Sequence, residues 1–301
     1  MINWENVTKI FNADLLTKPV KSLDEVSFSL VEGGMIGYLG ANGAGKTTSL
    51  KIALGFSRPT SGKVSFSPKL GATPREAMAR IGFLPERPYF YPHLTGHEFS
   101  DYMGLLSGMR TSEIGPRREK LAERLGIAAA LGRPLRTYSK GMLQRMGFLV
   151  AIQHDPQIII LDEPLSGLDP LGRKELKDLM GDIHKEGKTV FFSTHIVSDV
   201  EETCDSMVFL RQGKVVYSGS VKALLDQNPA RLFRVVIESS NEPIFQTPVV
   251  SKSRQNAFWL LKVETGLREK LVMEALGSGC KLISVGPEGA RLEDIFYGAG
   301  Q

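Results

Sequence analysis

The chain has 301 residues, 42% of them hydrophobic and 23% charged, with a formal net charge of +4. These proportions are ordinary for a soluble globular protein, and a weak positive charge without a clustered basic stripe argues against nucleic acid as a partner. Two cysteines, Cys204 and Cys280, lie far apart and match no metal spacing, which excludes a disulfide scaffold and fits a reducing compartment.

In chain order, residues 1–35 read as β-rich. The stretch VSFSLVEGG alternates apolar and polar residues and turns at Gly33-Gly34. MIGYLG is a short apolar strand, KTTSLKIALG has helical spacing with Gly55 as its stop, and GKVSFS is another strand. From about Pro85 to Pro134 the strand signals vanish and TGHEFSDYMGLLSGM and REKLAERLGI carry helical spacing, so an inserted helical subdomain is expected. Within it Arg117, Arg118 and Lys120 are interrupted by Glu119, as on a solvated helix face.

An α/β alternation then returns. A helix from Ser139 leads to the strand QIIILDEP, the helix GRKELKDLMGDIHKEG, the strand KTVFFSTH, the helix VSDVEETC and a strand pair joined at Gln212-Gly213. Continuous apolar runs such as Ile158–Leu161 suit strands buried on both faces of a mainly parallel sheet. A boundary falls at LLDQNPAR, and residues 231–301 read as a small α+β domain.

Gly40 to Thr48, GANGAGKTT, fits a phosphate-binding loop between a strand and a helix. Gly40, Gly43 and Gly45 let backbone N–H groups wrap phosphates, with Asn42 and Ala44 between them; Lys46 adds charge, and Thr47 and Thr48 follow with hydroxyls, Thr47 as a Mg²⁺ ligand. The strand IIILDEP ends in two carboxylates, which are costly to bury unless they hold something. Asp162 is the candidate Mg²⁺ carrier through its water shell, and Glu163 the candidate general base. Asp169, in LSGLDP, reads either as a helix N-cap or as part of the nucleotide site that precedes it. His195 ends the next strand, either as a structural histidine or within reach of a γ-phosphate. Ser139 caps a second helix start, which also suits an anion, so one chain carries two anion-binding helix starts.

The phosphate loop, the Ser139 helix start, the acidic strand, SGLD and His195 resemble, in order and spacing, the ATP-binding cassette (ABC) ATPases across about residues 2–225. The resemblance implies a P-loop NTPase cassette in residues 1–225: a RecA-like, mainly parallel core, an N-terminal antiparallel β part and a helical subdomain at about 86–137. It also answers the question of two anion sites. ATP would be sandwiched between the phosphate loop of one copy and Ser139 and Gly141 of another, in a homodimer or a dimer with a related ATPase. ATP and Mg²⁺ are the implied ligands. Two departures stand out: Glu86, in IGFLPE, replaces the usual glutamine as a metal ligand, and the signature reads Tyr138-Ser139-Lys140-Gly141-Met142. Phe11 is the candidate adenine-stacking ring or a core phenylalanine, followed by an unusually long connection.

LPE, YSKGMLQR and a closing Leu292-Glu293-Asp294-Ile295-Phe296 resemble the ATPase subunits of bacterial multidrug, sodium and polysaccharide exporters, although an ordinary amphipathic terminal helix would look similar. Such subunits pair with a membrane permease, here through residues 86–105, where Tyr89, Phe90 and Tyr91 cluster; core packing could account for part of that cluster. No apolar run approaches the roughly 18 residues needed to span a bilayer, and MINWENVTKIF is no signal peptide. A cytoplasmic subunit peripheral on the inner face of the membrane is therefore expected. The alternative is a soluble ABC ATPase without a permease.

Overall fold

The computed structural model describes residues 1–11, 19–228, 232–239, 241–288 and 292–297. Residues 12–18, most of the long connection after Phe11, lie outside that set. The chain forms two compact units, Met1–Val221 and Lys222–Gln301.

The first unit runs β1 (Ile2–Phe11), β2 (Val20–Ser29), β3 (Met35–Leu39), α1 (Lys46–Ala53), β4 (Ser61–Phe66), α2 (Pro74–Met78), β5 (Ile81–Leu84), α3 (Gly96–Leu106), α4 (Thr111–Arg124), α5 (Lys140–Ile152), β6 (Ile158–Leu161), α6 (Pro170–Lys185), β7 (Thr189–Thr194), α7 (Val197–Thr203), β8 (Ser206–Arg211) and β9 (Lys214–Ser220). Two sheets result. One is antiparallel, in the order β2-β1-β4; the other has six strands in the order β5-β6-β7-β3-β8-β9, parallel except for β9.

The apolar run of β6 explains its central place, because all four residues are fully buried. Alternate side chains serve opposite faces. Ile158 and Ile160 join a core with Trp4, Phe28, Tyr38 and Leu50, between the six-stranded sheet and the antiparallel sheet with α1. Ile159 and Leu161 face the other core, with Phe148, Leu149 and Leu179 from the helices and Phe192 from β7. Across the two sheets, Phe28 of β2 meets Tyr38 of β3 with ring centroids 5.5 Å apart, and Trp4 of β1 meets Phe191 of β7 at 6.0 Å, so the sheets meet through aromatic side chains.

The helical subdomain begins with a capping box. Thr95 accepts from the Glu98 N–H and Glu98 returns a carboxylate to the Thr95 N–H, which fixes where α3 starts. The basic run on α4 is ion-paired: Arg117 with Asp155 at 2.6 Å, and Arg118 with Asp101 and Glu119. Of the aromatic cluster, Phe90 packs against Phe99 at 5.3 Å, whereas Tyr89 stands 78% exposed.

The boundary falls after the first residue of α8 (Val221–Gln227), and the second unit continues with β10 (Leu232–Glu238), β11 (Ser251–Gln255), β12 (Phe258–Glu264), α9 (Arg268–Gly277), β13 (Lys281–Glu288) and α10 (Leu292–Tyr297), its four strands ordered β11-β12-β10-β13, all antiparallel. Val235, Ile237, Leu261 and Val263 form its core with Leu271 and Ala275 of α9. Leu292 opens α10 as a buried residue; the side chain of Asp294 in the same motif lies outside the described set. Both cysteines are free thiols, and burial pushes the Cys204 thiol up to about 12. Among the described residues no helix is long and apolar enough to cross a membrane.

Candidate active site

The site lies at the carboxyl ends of β3, β6 and β7, where parallel α/β sheets bind ligands. After Leu39 the chain turns tightly into α1. Gly43 and Gly45 take φ of +79° and +108°, values that a side chain resists. A Cβ at Gly45 would stand 2.5 Å from the Ser22 carbonyl oxygen, so the loop is packed hard from behind. Lys46 folds back over this loop. Its Nζ donates to the carbonyls of Gly40 at 2.7 Å and Ala41 at 3.3 Å, and its side chain is only 6% exposed.

The acidic strand end meets that ammonium. Glu163 Oε1 lies 3.2 Å from Lys46 Nζ, and Glu163 Oε2 lies 3.0 Å from Nδ1 of His195. Glu163 adopts a left-handed φ of +50°, and its N–H donates to Ser193 Oγ at 2.8 Å. Backbone held in such a region is strain of the kind concentrated at functional sites. Asp162 is buried one residue earlier and accepts from Ser193 Oγ at 2.6 Å. Beneath it, burial holds the Tyr38 phenol far above its usual range, with the Asp162 charge adding to the effect. From α5, Gln144 Nε2 donates to the Pro164 carbonyl at 2.9 Å, which ties the loop after Glu163 to the helix that starts at Ser139.

These groups line a cavity of about 380 Å³, within the usual size range of small-molecule sites. Asn42, Gly43, Gly45, Lys46, Thr47, Thr48, Glu86, Glu163 and His195 all border it. Gly40 offers its carbonyl to Lys46, Ala44 is buried in the loop, and Asp162 sits beneath the lining. Phe11, at the end of β1 opposite Val20, is 47% exposed, carries Lys9 Nζ 5.1 Å from its ring centroid, and does not border the cavity. Ser139 and Gly141 open α5, with Ser139 accepting from the Met142 N–H at 3.3 Å, and they too lie outside the lining. Asp169 caps α6 by accepting from the Gly172 N–H at 3.0 Å and likewise leaves the cavity untouched.

Three serines were not singled out from the sequence. Ser22 of β2 and Ser166 border the cavity, and Ser22 Oγ donates to Thr48 Oγ1 at 3.0 Å. Ser193 holds both carboxylate residues from the neighbouring strand. Ser22 belongs to no motif, and only strand pairing brings it here. Ser193 lies in FFSTH, where the hydroxyl two residues before the histidine was the available signal.

The donor set fits a Mg²⁺-nucleotide. A cradle of backbone N–H groups with a lysine above it suits a polyphosphate, and a Cβ on Gly43 would meet no other atom within 4 Å, so the loop is open there. Thr47, Glu86 and Asp162 offer only oxygens, the ligands a hard divalent cation takes.

The sequence profile of the ABC transporter family matches residues 23–166. An ABC transporter ATP-binding protein of Synechocystis sp. is 37% identical over 298 residues, which cover 97% of this chain and 82% of that protein. Among solved structures, an ATP-binding subunit of an ABC transporter superposes with a TM-score of 0.66 at 28% identity, over 76% of this chain and 93% of that one. An ATP-binding cassette solved as a dimer in a post-hydrolysis state with ADP and Pi shares the fold, with a TM-score of 0.66 at 23% identity over 73% and 99% of the two chains. With the phosphate loop, acidic strand end and histidine converging on one cavity, the chain belongs to the ABC transporter ATP-binding proteins, the ATPases of the ATP-binding cassette fold.

Proposed function

We propose that this ATPase is the nucleotide-binding subunit of a membrane exporter, working on the cytoplasmic face as a pair of cassettes with two composite ATP sites. The observation that carries the catalytic part is Glu163, placed between the Lys46 ammonium and the His195 ring at the wall of the cavity. Glu163 takes the proton of the water that attacks the γ-phosphorus, as the bond from that phosphorus to the ADP oxygen breaks. ADP and phosphate leave. Lys46 neutralises the β- and γ-phosphates, and His195 orients the γ-phosphate. Thr47 and Asp162, with Glu86, would hold Mg²⁺, which supplies charge neutralisation at the phosphate oxygens.

Pairing is supported by the second anion-binding helix start. Ser139 and Gly141 lie outside the chain's own cavity, so they are free to serve the nucleotide of a partner copy. The cassette solved as a dimer with ADP and Pi shows that this fold can assemble in pairs. Each γ-phosphate would then bridge two helix starts, and its loss would open the pair. For the permease, the exposed rings of Tyr89 and Tyr102 both meet the Tyr91 ring edge-on at 5.6 Å, and Leu105, exposed as well, follows one turn later on α3. Residues 1–225 are the cassette in this reading, and residues 231–301 an accessory domain.

Sedimentation with membranes from the cell of origin tests the permease reading. Wild-type chain should pellet with the membranes, and Tyr89→Asp with Leu105→Asp should release it. A wild-type chain that stays in the supernatant would contradict permease coupling and favour an ABC ATPase acting alone.

A further inference from the structure

We propose that Ser193 is the positioning residue of the acidic strand end, one hydroxyl setting both the metal-carrying and the proton-accepting carboxylate. The inference rests on the reading of Asp162 and Glu163 given above. Ser193 is fully buried on β7, whose pairing with β6 runs Ile160 to Phe191 and Leu161 to Phe192, so Ser193 follows directly beside Asp162. Its Oγ has one hydrogen, and that hydrogen points to Asp162 Oδ1 at 2.6 Å. The same oxygen accepts the Glu163 N–H at 2.8 Å. Glu163 has left the strand with φ +50°, so this N–H no longer has a ladder partner. The hydroxyl thus fixes the rotamer of Asp162 and pins the backbone turn that aims Glu163 between Lys46 and His195. A buried hydroxyl costs free energy unless it is bonded, and of the three in TVFFST the one on Ser193 has both its donor and an acceptor position used at the site.

A serine that merely satisfied a buried N–H would support folding and leave chemistry alone. Ser193→Thr and Ser193→Val separate the two roles, because they add nearly the same volume and differ in the hydroxyl. The measurements are kcat and KM for ATP, the Mg²⁺ concentration needed to bind a fluorescent ATP analogue, and the thermal midpoint. Ser193→Thr should keep kcat within about threefold of wild type, and Ser193→Val should lose roughly 10- to 100-fold in kcat with KM nearly unchanged. The Mg²⁺ requirement for analogue binding should rise several-fold, roughly, in the valine variant alone. If overpacking unfolds both, Ser193→Ala removes the hydroxyl without added volume and is read against wild type in the same assays. A folded valine or alanine variant with wild-type kcat and Mg²⁺ requirement overturns the proposal. Glu163→Gln measured alongside keeps the two claims apart: if it turns over at the wild-type rate, the base assignment itself fails, whereas an inactive Glu163→Gln beside a fully active Ser193→Ala removes only the role of Ser193.

Discussion

Oε2 of Glu163 lies 3.0 Å from Nδ1 of His195, although the two residues are 32 positions apart in the chain. Each stands just past the end of its own parallel strand, and β6 and β7 are neighbours, so the pairing of the strands delivers the contact. The ring is 41% exposed and the carboxylate 11%, which leaves the histidine facing the space where a phosphate would sit. Replacing His195 with Ala removes that partner. Turnover should fall by roughly 10²-fold or more, with nucleotide binding retained, as rate and affinity measured side by side will show.

Lys46 is the second contact of Glu163 and borders the cavity, where the proposed function has its charge anchor the phosphates. Lys46→Ala should weaken ATP binding by roughly 10- to 100-fold, the value of a charged hydrogen bond, in a calorimetric titration. Unchanged affinity would remove Lys46 from the phosphate site.

Most of the site was legible because its signals are local. The phosphate loop is nine contiguous residues, and the acidic pair directly follows an apolar run that had to be a central strand. Gly55, expected to stop the first helix, takes φ +74° just past the C-cap Leu54. What was missed depends on pairing or on brevity. Ser22 and Ser193 reach the site only through neighbouring strands. β11, the polar stretch SKSRQ, has no apolar alternation and is a strand because β12 offers it an edge. α2 spans five residues, too few for a periodic pattern, and rests on the Thr73 cap and Pro74 at its first turn. Part of the aromatic run after Glu86 is core packing, since Phe90 turns inward, while Tyr89 remains outside.

Gly45 tolerates no side chain. At φ +108° with the Ser22 carbonyl 2.5 Å from any Cβ, Gly45→Ala must shift the loop or β2. We expect a loss of about 1–3 kcal/mol in denaturant unfolding, together with loss of nucleotide binding.

Asp199, on α7, is a buried carboxylate that accepts from Arg173 Nη2 at 2.9 Å on each oxygen and from Thr194 Oγ1 at 3.3 Å. Arg173→Ala leaves that charge, among the described residues, with the Thr194 hydroxyl and with Lys177, 3.7 Å away, as its one cation, and should cost about 3 kcal/mol in urea unfolding. Arg173→Met combined with Asp199→Leu should recover most of this loss, since the buried charge is then gone.

His154 supplies a pH dependence. Burial is the main cause that lowers its pKa below 6.5, so the folded protein keeps it neutral at pH values where the unfolded chain protonates. The stabilisation is therefore complete above pH 6.5 and is lost as the pH falls through the folded-state value, by at most about 1.4 kcal/mol per pH unit. Denaturation midpoints taken from pH 7.5 downward should fall less steeply in His154→Gln than in wild type, and parallel curves would remove His154 as the cause.

In the proposed function Glu163 is the base of an ATP site completed by a second copy. The most direct test is Glu163→Gln, assayed for phosphate release and for assembly by size exclusion with Mg²⁺-ATP. Wild type should release phosphate, and the variant should release almost none and elute as an ATP-loaded dimer. A variant that hydrolyses ATP at the wild-type rate, or that binds ATP and remains a monomer, contradicts the proposed function.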